Sequence, residues 1–304
     1  MHEVVSNVIQ RYFEVEPIDI HPLGGGFYGK VFLATLDKAP FKVVVKIYLK
    51  LGLAQNEGLQ IETLNKYSHI PMPKVYQVYQ ADQALGYDVL MMEYLQGVNA
   101  GIQSSVNEEA LDNIAEKIID NLIAYHSVTN TQGFGELNAT EFVKDWRQYY
   151  KPIVDRIFSA AQSFYSKKIL SKENFQIIEQ AYNNFEHIFY LPVTTSSLIH
   201  GDYNTWNIML NEELTDVRAV IDPFGCCWGD AEYDLYQLNN ANGRYFSLLD
   251  RYKKKCSVSE NFEIKLCFYE LFTEIMHYHD AGVKLRDADI AATALKLKEL
   301  MNNI

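Results

Sequence analysis

The spacing of apolar residues changes near residue 97 and divides the chain into two parts. Before that point, β-branched and apolar residues fall in short runs bounded by turn residues, a pattern that predicts strands. The predicted strands cover residues 31–36, 41–48, 74–79 and 87–92. Two other stretches of this part have apolar residues at helical spacing, which predicts an amphipathic helix over residues 2–13 and a second helix over 53–67.

After Gln96-Gly97, helical spacing predominates. In the stretch from 108 to 127, for example, Leu111, Ile114, Ile118 and Leu122 recur every three or four residues. The same pattern predicts further helices over residues 141–165, 172–189, 232–245, 261–281 and 287–302. We therefore predict an α+β protein with a small, strand-rich N-terminal lobe (1–95) and a larger, mostly helical C-terminal lobe (96–304).

A segment of closely spaced polar residues interrupts the helical part. His200-Gly-Asp202 is followed by Asn207 and, fifteen residues after that amide, by Asp222. Short apolar runs lie before, between and after these groups. They predict a strand–loop–strand–turn–strand arrangement that brings the polar side chains to one end of a small hairpin. One Asp or Asn alone is usually a turn or capping residue, but four such residues at this spacing are not explained in that way.

Phosphoryl transfer requires such a set of groups. One carboxylate accepts a hydroxyl proton, and an amide together with a second carboxylate holds magnesium on the phosphates. Asp202 is the candidate catalytic residue, and His200 is expected to support the shape of its loop. Asn207 and Asp222 are candidate Mg²⁺ ligands, because that cation prefers oxygen donors.

A glycine-rich run precedes the predicted strand 31–36. It contains Gly24, Gly26 and Gly29 at Gly-x-Gly-x-x-Gly spacing. In a dinucleotide-binding fold such a run opens a helix and meets an acidic residue about twenty positions later. Here it opens a strand, and the next strand carries Lys46, an order typical of a loop whose backbone covers ATP phosphates. A plain flexible turn is the alternative for the glycine run taken alone.

Lys46 lies in an apolar strand, where a buried ammonium group needs a partner. Glu57 on the following helix is the first candidate for that partner, and Glu62 is the second. Lys42, on the same strand, suits an outward-facing position better. A Lys46–Glu57 pair directed at nucleotide phosphates is the functional interpretation.

Composition and charge exclude several classes of protein. The formal net charge of −12 disfavours a nucleic-acid partner and is compatible with a cationic substrate. No run of eighteen apolar residues and no secretory signal is present, so we expect no membrane partner. The four cysteines show no C-x-x-C spacing, which argues against a zinc site or a disulfide framework and favours the reducing cytoplasm. The oligomeric state is not indicated.

A second acidic cluster follows Asp222, at Gly229-Asp230-Ala-Glu232-Tyr-Asp234-Leu235. Asp234 lies just inside the predicted helix 232–245, where its carboxylate could accept backbone N–H groups of the loop that carries Asp202. The alternative is an ordinary acidic residue favoured by the helix dipole.

These motifs together resemble the aminoglycoside phosphotransferase family, the small-molecule branch of the protein-kinase-like fold. The most specific matches are His-Gly-Asp-x-x-x-x-Asn at 200–207, Ile-Asp at 221–222 and Gly-Asp-x-x-x-Asp-Leu at 229–235. Choline, homoserine, methylthioribose and fructosamine kinases share this architecture. The chain departs from the family at Asn204-Thr205-Trp206, where a His-Pro-Gly type of stretch is common, and at Pro223, where many members have Trp.

The resemblance implies a bilobal fold that binds ATP, or GTP, with Mg²⁺. It places the adenine against the backbone from Glu93 to Leu95, with Met92 and Ile221 as apolar neighbours. The acceptor would be a hydroxyl of a small molecule that bears amines or resembles a sugar. Candidate residues to hold the acceptor are Asp230, Glu232, Glu270, Glu274, Asp280, Trp206 and Trp228. For each acid taken singly, a solvated helix face is the plainer interpretation.

Two other functions are compatible with parts of the sequence. A nucleotide-binding scaffold or sensor without transfer activity would keep the fold, but the intact set of Asp202, Asn207 and Asp222 argues against it. A protein kinase would need an activation segment. Only about ten residues separate Asp222 from Glu232-Tyr-Asp234, and no Ala-Pro-Glu motif follows, so this function ranks last.

Overall fold

The computed structural model describes residues 1–25, 28–83, 85–102, 106–281 and 285–303. Six strands and two helices make up the first part of the described chain. Its elements are α1 (His2–Phe13), β1 (Asp19–Gly25), β2 (Gly29–Thr35), β3 (Lys42–Tyr48), α2 (Leu53–Asn65), β4 (Val75–Tyr79), β5 (Asp88–Glu93) and β6 (Val98–Asn99).

Helices make up most of the remainder. The elements are η1 (a 3₁₀ helix, Ala100–Ile102), α3 (Glu108–His126), β7 (Gly135–Glu136), α4 (Trp146–Ser166), α5 (Lys172–Asn183), α6 (Phe185–Ile188), β8 (Ser197–Leu198), η2 (3₁₀, Thr205–Asn207), β9 (Ile208–Leu210), β10 (Val217–Val220), β11 (Cys227–Gly229), η3 (3₁₀, Ala231–Asn239), α7 (Leu248–Lys255), α8 (Phe262–Ala281) and α9 (Asp287–Met301).

The N-terminal strands form one antiparallel sheet in the order β1-β2-β3-β5-β4. The β-branched run of β3 is central, and its residues 43–47 are buried. The helix α1 packs Val5, Val8 and Ile9 against this sheet, so its apolar stripe closes one side of the core. The four strands and the two helices predicted in this part of the chain are confirmed.

The strands around the polar segment differ from the predicted arrangement. β9 and β10 form the expected antiparallel hairpin, but β8, which precedes His200, does not join it. Instead, β8 pairs with β11, and β11 also pairs with β7. The prediction of a single hairpin was therefore wrong, because apolar runs show that strands exist but do not show which strands pair.

Three predicted helices have different limits. The helix predicted from residue 141 begins at Trp146, where the Asp145 side chain accepts the N–H of Arg147 as a cap. The helix predicted over 172–189 is interrupted at Asn184. The helix predicted over 232–245 is the 3₁₀ helix η3, which ends at Asn239. A 3₁₀ run of this length is uncommon.

The chain divides into two compact units. The first consists of Met1–Ala124 and Thr205–Gly225, and the second of Tyr125–Asn204 and Cys226–Ile304. The second unit is built around an aromatic core, in which Trp146, Tyr150, Phe189, Phe268 and Tyr269 are buried. The lobes predicted at 1–95 and 96–304 follow a different division of the chain and stay a prediction.

No helix in the described ranges combines the length and the apolar character that crossing a membrane requires.

Candidate active site

Lys46 is the centre of a buried ion-pair network in the first unit. It lies on β3 and is only 7% exposed. Its Nζ is 2.7 Å from Oε2 of Glu57, which α2 supplies, and it also donates to Oδ1 of Asp222. Tyr48 donates its hydroxyl to the same oxygen of Glu57. Glu57, rather than Glu62, is thus the partner of Lys46.

The two carboxylates keep Lys46 charged. Burial opposes the positive charge, but Asp222 and Glu57 outweigh this effect and raise the pKa of Lys46 above its ordinary value. Burial also raises the pKa of Glu57, although Lys46 opposes that shift. The network therefore holds an ammonium group at a fixed position beside an accessible acid, since the Asp222 side chain is 46% exposed.

The backbone at Asp222 is held in an unusual conformation. Its φ is 57°, in the left-handed region that non-glycine residues seldom adopt. Ile221 donates its N–H to the Asn207 carbonyl at 2.9 Å, and Asn207 Nδ2 lies 3.4 Å from the Asp222 carbonyl. Strain of this type persists where the surrounding structure fixes it, and it is common at ligand sites.

Asn207 and Asp222 fit the ligand preferences of Mg²⁺. Asn207 directs its amide nitrogen to the backbone of Asp222, so its amide oxygen is the atom that would bind a cation. The described residues contain no cluster of three or more His, Cys, Asp or Glu side chains suited to a metal. A site with one amide and one carboxylate agrees with a cation that keeps waters and binds substrate phosphates.

The glycine-rich loop connects β1 and β2. Gly24 and Gly29 are described, whereas Gly26 lies outside the described residues. A Cβ at Gly29 would lie 2.6 Å from the carbonyl oxygen of Ile47, so any other residue there would force the backbone to shift. Next to it, Tyr28 stacks on Phe224 with ring centroids 4.7 Å apart.

The residues predicted to surround an adenine also lie in the first unit. Met92 and Glu93 end β5, and Leu95 follows shortly after. Met92, Leu95 and Ile221 are each half-buried, so each has apolar surface that a ligand can reach. The N–H of Glu93 already donates to the Lys74 carbonyl at 2.8 Å.

In the second unit, a buried acid binds the backbone of the loop that carries Asp202. Asp234 is fully buried, and its two carboxylate oxygens accept the backbone N–H groups of His200 and Gly201 at 2.8 and 2.7 Å. These are the hydrogen bonds expected of it. His126 Nε2 lies 3.2 Å from the same carboxylate, and its Nδ1 lies 2.8 Å from the Tyr252 hydroxyl.

The Asp202 side chain is itself hydrogen-bonded. Its Oδ1 accepts hydrogen bonds from Nδ2 of Asn204 at 2.7 Å and from Nε2 of Gln237 at 2.8 Å. Gln237 was not among the residues predicted from the sequence. Its place three residues after Asp234 puts both side chains on the same helix face, but the sequence alone does not show that Gln237 reaches the Asp202 side chain.

Two of the acids considered for the acceptor have partners within the chain. Lys265 is 2% exposed, and its Nζ lies 2.7 Å from Asp230 and 2.8 Å from Glu232. Tyr269 donates to Asp230, and Ser259 donates its N–H and hydroxyl to Glu232. Neither acid is on a solvated face, and both already surround an ammonium group, which favours a structural role for them.

The other acceptor candidates are divided between the two units. On α8, Glu270 is hydrogen-bonded to Thr293, and Asp280 binds Arg156 through both carboxylate oxygens at 2.8 Å. Trp228 is half-buried in β11. In the first unit, Trp206 is 51% exposed, and a Cβ at Gly101 would come within 2.8 Å of its ring. The Trp206 indole is thus accessible, and Gly101 lies close to one side of it.

Glu274 is the most perturbed of these acids. Its Oε2 is buried without a hydrogen-bond partner among the residues that the structure describes. Burial raises the pKa of Glu274 to about 7, with additional repulsion from Glu270 and Asp289. The group is therefore partly protonated at neutral pH, when an ordinary Glu is fully charged.

We expect Glu274→Gln to stabilise the protein at pH 8 and to have little effect at pH 5. The pKa of the Glu274 carboxyl is higher in the folded protein than in the unfolded chain. Its contribution to the free energy of unfolding is therefore fully present below the unfolded pKa and is lost as the pH rises through the folded value near 7. The gain at pH 8 should be on the order of 1–3 kcal/mol. Urea unfolding at both pH values measures it, with the exposed Glu260→Gln as the control. An equal change in the free energy of unfolding at both pH values would contradict the raised pKa of Glu274 as the cause.

Comparison with known proteins agrees with this fold. The chain belongs to the phosphotransferase enzyme family, whose model matches residues 19–247. Over 257 residues it is 21% identical to uncharacterized protein YcbJ of Escherichia coli (strain K12), covering 84% of this chain and 85% of that protein.

Two solved structures have the same fold. One is a thermostable mutant of aminoglycoside phosphotransferase APH(4)-Ia in ternary complex with AMP-PNP and hygromycin B, with a TM-score of 0.70 and 14% identity over 98% of this chain and 97% of that one. The other is the gentamicin–APH(2")-IIa complex, with a TM-score of 0.66 and 16% identity over 96% and 95% of the two chains.

The predicted family and fold class are thereby confirmed. The protein is a phosphotransferase with a protein-kinase-like fold, an antiparallel sheet in its N-terminal part and helices in most of the remainder. Membership of this family, with kinases of small molecules among the structural relatives, supports the general class of small-molecule phosphotransferase.

Proposed function

We propose that this protein transfers the γ-phosphate of ATP, or of GTP, to a hydroxyl of a small molecule that bears amines or resembles a sugar. The observation that carries the proposal is the placement of Lys46 between Glu57 and Asp222. The cation that would bind phosphate and the carboxylate that would bind metal thus lie in contact within one unit. The proposal is supported by a structural relative whose complex contains AMP-PNP and hygromycin B.

The first unit would bind the nucleotide. Lys46 would pair with phosphate oxygens, and Glu57 would keep its ammonium group in position. The backbone of the loop at Gly24, Gly26 and Gly29 would cover the phosphates. Met92, Leu95 and Ile221 would contact the adenine, along with the backbone at Glu93. Asn207 and Asp222 would hold Mg²⁺, which when bound supplies positive charge to the phosphate oxygens.

The second unit would supply the group that activates the acceptor. Asp202 would accept the proton of the acceptor hydroxyl as the new oxygen–phosphorus bond forms and the bond to the nucleoside diphosphate breaks. Asp234, through its bonds to the backbone of His200 and Gly201, would keep the loop in shape. Only Tyr203 and Asn204 separate Asp202 from the first unit along the chain.

The acceptor's charge would be recognised away from Asp230 and Glu232. These two acids are neutralised by Lys265, so an added cation would have to displace a buried ammonium group. Glu270 and Glu274 on α8, with Trp228 of the same unit as an apolar surface, are the candidates that are left. We place the reaction in the cytoplasm, in accord with the four free cysteines.

A nucleotide-consumption screen tests the proposal. The wild-type chain would be incubated with Mg²⁺ and either ATP or GTP against amino sugars, aminoglycosides, amino alcohols and neutral sugars. We expect acceptor-dependent release of nucleoside diphosphate and a phosphomonoester product identified by ³¹P NMR and mass spectrometry. Nucleotide binding without turnover across the whole set would instead support a silent scaffold or sensor.

A further inference from the structure

Two amide side chains bind the same oxygen of Asp202. Asn204 and Gln237 donate to Oδ1 at 2.7 and 2.8 Å, and both amides are buried, with exposures of 7% and 3%. Buried donors of this type favour the ionised form of a carboxylate and fix the direction of its side chain. Asn204 belongs to the loop itself, whereas Gln237 comes from η3, a separate element.

The hydrogen-bond network determines the orientation of the Gln237 amide. Asn240 Nδ2 donates to Gln237 Oε1 at 2.6 Å, so the opposite atom, Nε2, faces Asp202. The same Nε2 also donates to the Tyr236 hydroxyl at 2.9 Å. With both ends of the amide engaged, Gln237 can present only a donor to the carboxylate.

The 3₁₀ conformation of η3 places Gln237 where this contact is possible. Residues three positions apart are eclipsed in a 3₁₀ helix, whereas they differ by about 60° in an α-helix. Asp234 and Gln237 are three positions apart and therefore lie on one face. Asp234 binds the backbone of the loop, and Gln237 binds its reacting side chain.

We propose that Gln237 is a positioning residue for Asp202, one that fixes the carboxylate in the direction needed to receive the acceptor proton. This inference rests on the proposed function, in which Asp202 takes that proton. It also gives η3 a specific role, because one rigid face of this helix would align both the main chain and the side chain of the catalytic loop.

Two variants replace the amide donor while keeping the size of the side chain. Gln237→Met has no polar group. Gln237→Glu retains an oxygen that can accept from Asn240, but it places a second carboxyl beside Asp202, and the two acids then share a proton. We expect both to lower kcat by about tenfold to a hundredfold, the usual effect of misplacing a catalytic group, with the nucleotide Kd within about twofold of wild type. Tyr236→Phe leaves the Gln237–Asp202 bond in place and should stay within about threefold of wild type.

The pH dependence distinguishes positioning from a general structural defect. Loss of the donor favours protonated Asp202, so the acid limb of the kcat/KM profile should move to higher pH in both Gln237 variants and not in Tyr236→Phe. In an Asp202→Asn background, Gln237→Met should have no further effect on kcat. The proposal would be overturned if the Gln237 variants lowered kcat without moving the acid limb. It would also be overturned if Gln237→Met lowered kcat in the Asp202→Asn background as much as it does in the wild type.

A titration that does not depend on turnover completes the test. With ¹³C-carboxyl aspartate, the Asp202 signal is assigned as the one missing from Asp202→Asn, and Gln237→Met should raise its midpoint. An unchanged midpoint in a folded variant overturns the role of Gln237 even if the wild type is an active kinase. If the wild type turns over no acceptor, the proposed function fails, and the positioning role fails with it.

Discussion

Asp202→Asn is expected to lower kcat by about 10²–10⁴, the usual contribution of a general base. An amide has the size of the carboxylate and its oxygen can accept the hydrogen bonds that Asn204 and Gln237 give to Asp202, so the loop should keep its shape. The amide cannot accept a proton. The loss should therefore appear in kcat, while the nucleotide Kd changes by no more than about threefold, because the residues proposed to bind nucleotide lie in the other unit.

Steady-state kinetics with the best acceptor of the screen measures the first effect, and calorimetric titration with a non-hydrolysable nucleotide analogue measures the second. Asp250→Asn, an exposed change on α7, is the matched control and should behave as wild type. If Asp202→Asn retained more than a tenth of the wild-type kcat, Asp202 would not be the proton acceptor, and the proposed chemistry would have to be assigned to another group.

Lys46→Met is expected to destabilise the protein by about 3–5 kcal/mol and to weaken nucleotide binding by about 2–5 kcal/mol. The stability loss arises because the variant leaves the Glu57 carboxylate buried without its counter-charge, whereas Asp222 is partly exposed and can be solvated. The binding loss arises because a charge-assisted contact to the phosphates disappears.

A second substitution separates these two effects. Lys46→Met with Glu57→Gln should regain most of the lost stability, since no unpaired buried charge is left, but it should not regain nucleotide affinity. Urea unfolding and nucleotide titration of both variants give the comparison. Lys42→Met, on the exposed side of the same strand, should change stability by no more than about 0.5 kcal/mol. Equal stability losses in the single and double variants would contradict the ion-pair explanation.

Prediction from the sequence worked best where a signal is local. Val43, Val44, Val45 and Ile47 mark β3 because β-branched residues suit a buried strand, and a lysine among them requires a partner. Glu57 was identified as that partner because it lies on the next element with helical spacing. The hydrogen bonds from the loop backbone to Asp234 were foreseen from a different signal, because 33 and 34 residues separate these partners. An acid just inside an apolar helix was the feature that suggested them.

The errors have a common cause, which is dependence on residues distant in the sequence. The family resemblance made Asp230 and Glu232 candidates for holding the acceptor, and no basic residue near them in the sequence indicates a partner within the chain. Lys265, more than thirty residues later, is brought between them by the packing of α8 against η3. Likewise, β8 pairs with β11 and not with the β9–β10 hairpin, a choice that apolar patterning does not encode.

The amino-acid sequence was sufficient for the family, the order of most elements, and the identities of the residues proposed for chemistry, because periodicity and motif spacing are properties of short stretches. The folded structure was needed to show which charges meet: the ammonium group of Lys46 between two carboxylates, the internal neutralisation of Asp230 and Glu232, and the amide of Gln237 on Asp202. Side-chain pairing depends on distances of about 3 Å between residues far apart in the chain, and a one-dimensional pattern contains no measure of such distances.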